Sequence, residues 1–290
     1  MSAALPPIPC EGVTLQAIIN LQSIVRRINA DWTTEEVNSN LIKKWTETDK
    51  CSLTGLLKRN YRYKRHPELG LTYNEAVGKK ATIFVSHAWL YKFIDVVDVI
   101  IRYIQCNREG ITDYLWFDLF VNDQWRAGEL PFEWWTNTFI SSVQSIGHTL
   151  LVMLPLHAPI CLTRAWCIFE IYSSICHENT KFSLGISQND ITSALERVQS
   201  RDQMSAELAS IISFDTRLSQ CGKVEDRVRI HEVVSGLKGG FEEMNKKIAN
   251  LLVKLLNEQL SQTHLMTQQY LKDREKAAVT STVWKKLIKV

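Results

Sequence analysis

The sequence predicts an α/β domain built on a doubly wound parallel sheet, with helical extensions at both ends. Three observations predict it. Short apolar runs rich in β-branched and aromatic residues recur at Ala81–Ser86, Tyr114–Val121 and Thr149–Leu154. Segments with helical apolar spacing separate them. Consecutive strands joined by helical crossovers run parallel, and a parallel sheet needs cover on both faces.

Taken in order, Pro6, Pro7 and Pro9 mark a flexible start, and Val13–Ile28 carries apolar residues at Leu15, Ile18, Leu21, Val25 and Ile28, close to helical spacing. Thr33-Thr34-Glu35-Glu36 reads as a helix start, a hydroxyl cap followed by acids that suit the helix dipole. Lys58–His66 is basic and aromatic, which fits either a solvated surface or contact with a phosphate-bearing partner. Ala81–Ser86 is the first strand and Phe93–Ile104 the first crossover helix. Tyr114–Val121 is the second strand, Asn122–Pro131 a polar loop, and Glu133–Ile146 a helix stopped by Gly147. Thr149–Leu154 is the third strand, ended by Pro155. Thr163 is expected to cap a helix to about Ile175, and Lys181–Ser187 is a candidate fourth strand. Beyond Asp190 the chain reads as helical, with a long amphipathic helix after Gly239-Gly240 and a basic, apolar end at Trp284–Val290. The expected division is a helical extension over 1–77, the α/β domain with its C-terminal helices over 78–260, and a basic tail over 261–290.

Composition narrows the function classes. With 45% hydrophobic and 22% charged residues, the 290-residue chain is of ordinary globular type. Lys+Arg 34 against Asp+Glu 31 leaves +3, too even a balance to call for a nucleic-acid partner. The seven cysteines are odd in number and scattered without a C-x-x-C, so reduced thiols are expected rather than a disulfide framework. A zinc site drawn from His157, Cys161, Cys167, Cys176 and His177 fits no common finger spacing, and no metal is expected. The start has neither the basic nor the apolar region of a secretory signal, and Thr149–Leu162 is too short and broken to span a bilayer. A cytoplasmic protein without an integral membrane segment is expected. Neither G-x-G-x-x-G nor a P-loop occurs, which disfavours a Rossmann dehydrogenase or an NTPase. The nine tryptophans need a large core or an aromatic ligand surface.

In a doubly wound sheet, ligands sit beyond the carboxyl ends of the strands. That places Ser86, His87 and Trp89, the Asn122–Pro131 loop and the segment after Leu154 around one cleft. The motifs there carry a resemblance. A first strand ending Phe84-Val85-Ser86-His87 and a later Trp166-Cys167-Ile168-Phe169-Glu170 are similar to a Toll/interleukin-1 receptor (TIR) domain. FVSHAW with LTRAWCIFEIY resembles the protist and algal group often found beside tetratricopeptide repeats, over roughly residues 30 to 260. The resemblance implies a flavodoxin-like fold and a signalling module that self-associates. It also implies, for a subset of the family, cleavage of NAD at the nicotinamide–ribose bond, with NAD as substrate rather than cofactor. The catalytic residue so implied is Glu170. The alternatives are NAD glycohydrolysis as the main function, or a sensor that binds a nucleotide without cleaving it.

The chemistry asks little of the protein. Nicotinamide leaves as a neutral molecule from a cationic ring, so no acid is needed, and one fixed carboxylate can stabilise an oxocarbenium-like ribose. Helical spacing puts Ala165, Ile168, Phe169, Tyr172 and Ile175 on one stripe, expected to face the sheet, and Trp166 and Glu170 on another. Glu170 then reads either as a catalytic group or as a surface acid complementing the helix dipole, paired with Arg164. Trp89 and Trp166 are candidates to stack a ring, Ser86, His87 and Asp123 to bond a ribose or phosphate. Asp118 and Asp123 together can mimic a carboxylate pair, or serve as a strand partner and a turn residue. Cys167 near His87 invites a Cys–His nucleophile, but nothing in the sequence orders such a pair.

Overall fold

One six-stranded sheet organises the computed structural model, which describes residues 9–197 and 213–261 except Lys79, Glu109, Ala127 and Glu178. The proline-rich start up to residue 8 and the basic tail beyond 261 lie outside the described residues. The chain begins with β1 (Gly12–Thr14), α1 (Leu15–Ile28), α2 (Thr34–Val37), a π-helical turn over Asn38–Ile42, and α3 (Lys43–Trp45). It continues with α4 (Leu53–Asn60), α5 (Tyr73–Ala76) and β2 (Val77–Gly78). The central unit is β3 (Ile83–Ser86), α6 (Phe93–Asn107), β4 (Tyr114–Trp116), α7 (Asp118–Val121), α8 (Phe132–Ile146) and β5 (His148–Val152). A 3-10 turn over Ile160–Thr163, α9 (Ala165–Ile175), β6 (Lys181–Gly185) and α10 (Gln188–Arg197) follow. α11 (Val224–Gly236) and a helix over 240–261 complete the described chain.

The strand order is β2-β1-β4-β3-β5-β6. β4, β3, β5 and β6 are parallel, while β1 is antiparallel to both its neighbours. In chain order the parallel strands therefore read second, first, third, fourth, an order compatible with a flavodoxin-like sheet. The path reverses between β3 and β5, and such a switch point opens a crevice beyond the strand ends. α1 packs on α6, and α8 on α9. Right-handed crossovers put the two pairs on opposite faces of the sheet. Gln22 of α1 donates to the Ile94 carbonyl (2.8 Å) and to Asp98 (2.7 Å) of α6, and Arg26 grips the same Asp98 at 2.7 Å. No helix of the described residues is long and apolar enough to cross a membrane.

Three elements differ from the sequence expectation. The Tyr114–Val121 run is not one strand: its ladder ends at Trp116, and Asp118–Val121 coils into a helical turn. Asp118 drives the change by accepting its own neighbour's amide, Leu119 N–H, at 2.7 Å, a local bond that competes with the ladder. α9 starts at Ala165 rather than being capped by Thr163. Its first amide is satisfied from outside, by the Gln220 carbonyl at 2.9 Å. The boundary expected at residue 77 also falls inside the sheet, since β1 pairs with β4 through Val13–Leu115 and Thr14–Tyr114. The Thr33 cap is present as a full capping box with Glu36. Gly147 ends α8 in the left-handed region, at φ +72°.

Close approach at β1 requires glycine. A Cβ on Gly12 would lie 2.8 Å from the Ala81 Cα and 2.9 Å from the Tyr114 backbone carbon, and neither can swing away. Gly12→Ala is therefore expected to destabilise the protein by about 1–3 kcal/mol. Urea unfolding followed by tryptophan fluorescence checks it, with a lowered midpoint in a single transition. A loss confined to a separate early transition would show that β1 is not part of the cooperative sheet.

Candidate active site

Glu170 forms the floor of a cleft at the switch point. It sits in the second turn of α9 and is only 8% exposed. The Ser86 hydroxyl, at the last residue of β3, donates to its Oε2 at 2.5 Å. α9 is apolar nearly all round and is covered by the sheet, α8 and α11, so the stripe that carries Glu170 is buried as well. The expected pairing with Arg164 does not form. Burial pushes the Glu170 carboxyl up to about 8; the Ser86 bond opposes the rise and the nearby Asp118 adds to it. The helix dipole does not hold it ionised, because a dipole is worth about 0.3–1 kcal/mol and desolvation of a buried carboxylate several.

A second acid, the half-buried Asp118, faces the same space. Asp118 accepts the Trp89 indole N–H at 2.6 Å through Oδ2 and the Leu119 amide through Oδ1. Burial raises its carboxyl to about 6, held down by those two donors. The cleft encloses about 290 Å³. His87, Trp89, Asp118, Trp135, Phe139, Trp166 and Glu170 line it on the sheet side. Arg164, Gln220, Gly222, Lys223 and Asp226 line the other. His87 is buried, its Nε2 has no hydrogen-bond partner, and burial depresses the imidazole to about 3, so it is neutral.

Both extensions shape the cleft. The Glu35 amide of α2 donates to the Trp89 carbonyl (3.2 Å) and the Thr34 amide to the Tyr91 carbonyl (3.0 Å), fastening the loop after β3. Gln220 pairs with the strand-like lead into α9, donating to the Thr163 carbonyl at 2.8 Å. Lys223 reaches the Gly128 carbonyl at 3.0 Å and so ties the C-terminal extension to the Asn122–Pro131 loop.

Of the residues singled out from the sequence, Ser86, His87, Trp89, Trp166 and Glu170 come together here. Asp123 does not. It accepts the amides of Trp125 (3.0 Å) and Arg126 (3.3 Å) as a turn residue and lines a different depression beside Cys51 and Lys58. Trp125 lies away from the cleft too, bonded to Thr46 with Lys50 over its ring. Cys167 donates to the His87 backbone carbonyl at 3.5 Å rather than to the imidazole, and burial pushes its thiol well up, so no Cys–His nucleophile is ordered. Sequence reasoning left Trp135, Phe139 and Lys223 out of the site. The spacing of α8 marked the first two only as core, and nothing local placed residue 223 near residue 164. Among the described residues, no group of three or more His, Cys, Asp or Glu can hold a metal ion. Compared with known proteins, the chain matches no family model, no curated protein and no solved structure.

The buried acid makes stability depend on pH with a definite sign. Below the ordinary 4.5 Glu170 is protonated folded or unfolded; between there and about 8 only the unfolded chain loses the proton, so stability falls as pH rises through that window. Glu170→Gln removes this dependence. Urea unfolding should show the variant gaining about 2–5 kcal/mol on wild type between about pH 5 and about pH 8.5. His87 adds a loss on the acid side, as pH falls from 6.5 toward about 3. Parallel pH curves for wild type and variant would mean that Glu170 is not held protonated.

Proposed function

We propose that the chain is a TIR-like module whose cleft cleaves NAD at the nicotinamide–ribose bond, with Glu170 as the carboxylate facing the ribose. One observation carries the reading: a carboxyl buried at a sheet switch point, tied to the end of β3 by Ser86, in a cleft walled by Trp89, Trp135 and Trp166. Nicotinamide is a cationic ring while attached and a neutral one once released. The flat indoles suit a cationic ring. The unpartnered His87 Nε2 offers a neutral hydrogen-bonding atom to a hydroxyl or amide. A pyridinium in the cleft favours the ionised form of Glu170 and draws off its proton, which leaves the carboxylate free to meet the positive charge that grows on the ribose. Water completes the step: the C–N bond breaks with its electrons going to nicotinamide, water oxygen bonds the ribose carbon, and one proton is released.

Burial favours the protonated form of Glu170 near neutral pH, which suits the second reading, a sensor that binds a nucleotide without cleaving it. Self-association, expected of this class, has a candidate surface beside the cleft. Val224 and Val228, one turn apart on α11, are 70% and 51% exposed.

Nicotinamide release from NAD by the purified protein, followed over a range of protein concentrations, tests the proposal. Wild type is expected to turn over, with kcat/KM rising about tenfold per pH unit and levelling above about 8. Glu170→Gln should lower kcat at least about 100-fold while still binding ADP-ribose. No release at any concentration would sink the enzyme reading and leave the sensor. Equal rates for wild type and variant would remove Glu170 from the chemistry.

A further inference from the structure

The cleft is a small site for the dinucleotide proposed for it. Its volume of about 290 Å³ stands at the low end of the roughly 300–1,000 Å³ usual for ligand sites. It can take one nucleoside-sized half of a dinucleotide, and the rest must leave over the rim. The inner wall is buried at His87 and Glu170 and half-buried at Asp118, whereas Gln220, Gly222 and Lys223 are exposed, so the way out runs along the C-terminal extension.

Two cations stand at that rim without a carboxylate partner. The half-buried Arg164 guanidinium makes no ion pair or hydrogen bond among the described residues. Lys223 donates only to a neutral acceptor, the Gly128 carbonyl. Asp226 lines the same wall and forms no ion pair with either. Arg164 and Lys223 are held near each other by backbone, since the parallel bridge between Arg164 and Gln220 sets the course of the chain three residues before Lys223. A guanidinium and an ammonium facing one opening match adjacent phosphates, the first through its planar fork and the second as a point charge.

We infer that Arg164 and Lys223 form an anion subsite at the rim of the cleft for the pyrophosphate of a nucleoside-diphosphate-type ligand. The C-terminal extension then supplies half of the binding surface, and phosphate rather than the base sets the ligand class. The inference rests on the nucleotide reading of the cleft but not on cleavage.

Calorimetric titration of the full chain with ADP-ribose and with adenosine tests it, at low and at raised salt. Wild type is expected to bind ADP-ribose at least tenfold more tightly than adenosine, with the difference shrinking as salt rises. Arg164→Gln and Lys223→Gln should each weaken ADP-ribose about tenfold, the worth of a charge-assisted hydrogen bond, and leave adenosine unchanged. Lys223→Arg should keep the affinity, and Asp226→Asn should strengthen ADP-ribose alone. Equal affinity for the two ligands, loss of both alike in the variants, or no measurable binding of ADP-ribose each overturns the subsite. The two proposals fail separately. Nicotinamide release with a KM for NAD that neither Gln variant changes removes the subsite and keeps the enzyme. Arg164-dependent ADP-ribose binding without nicotinamide release does the reverse.

Discussion

The bond from Ser86 to Glu170 joins the last residue of the central strand to the second turn of the helix that follows β5. It holds that carboxyl in place at the inner end of the cleft. The strand must end at Ser86 so that its hydroxyl lies at the rim of the sheet. α9 must enter close over the switch point. α9 presents a carboxyl there to the cleft it lines. A leucine at position 170 would pack the same helix more tightly and leave no polar floor.

Neither extension is an ornament on the central unit. The N-terminal one adds β1 to the sheet and clamps the loop after β3 through two amides of α2, which fixes Trp89 and hence its grip on Asp118. The C-terminal one hands the Gln220 carbonyl to the first amide of α9 and brings Lys223 to the mouth. A minimal sheet-and-helix unit would have the floor of this cleft but only one of its walls. The cleft and the fold are therefore coupled through segments that composition marks only as helical.

How far the sequence discloses this varies with the range of the interactions. β3 and β5 are legible because buried parallel strands read as continuous apolar runs, and α6 because its face repeats at helical spacing. β1 and β2 are not legible. They have three and two residues, and they exist only because Tyr114 and Ala81 lie close enough to demand Gly12 and Gly78. The end of β4 is hidden by a local side-chain bond at Asp118 that leaves the apolar pattern intact. Glu170 is marked as a candidate by its motif, but its orientation is misread. Stripe reasoning assumes that a helix has an exposed face, and the residues Ala165, Cys167, Ile168, Phe169, Ile171, Ser173 and Ser174 are all buried with it. Asp123 fails for the opposite reason: its spacing in the loop is right, and its carboxylate is consumed by two amides of its own turn.

The two acids show how burial and donor count together set the charge of the cleft. Asp118 is half-buried and receives an indole and an amide, whereas Glu170 is buried and receives one hydroxyl. Burial raises both, to about 6 and about 8. Burial thus favours the protonated form of Glu170 more than that of Asp118, two acids distinguished by environment alone. The like charge of Asp118 reinforces the division, since ionising the second acid beside the first is harder still. On the proposed reading, a cation bound beside Glu170 would favour its ionised form against that burial.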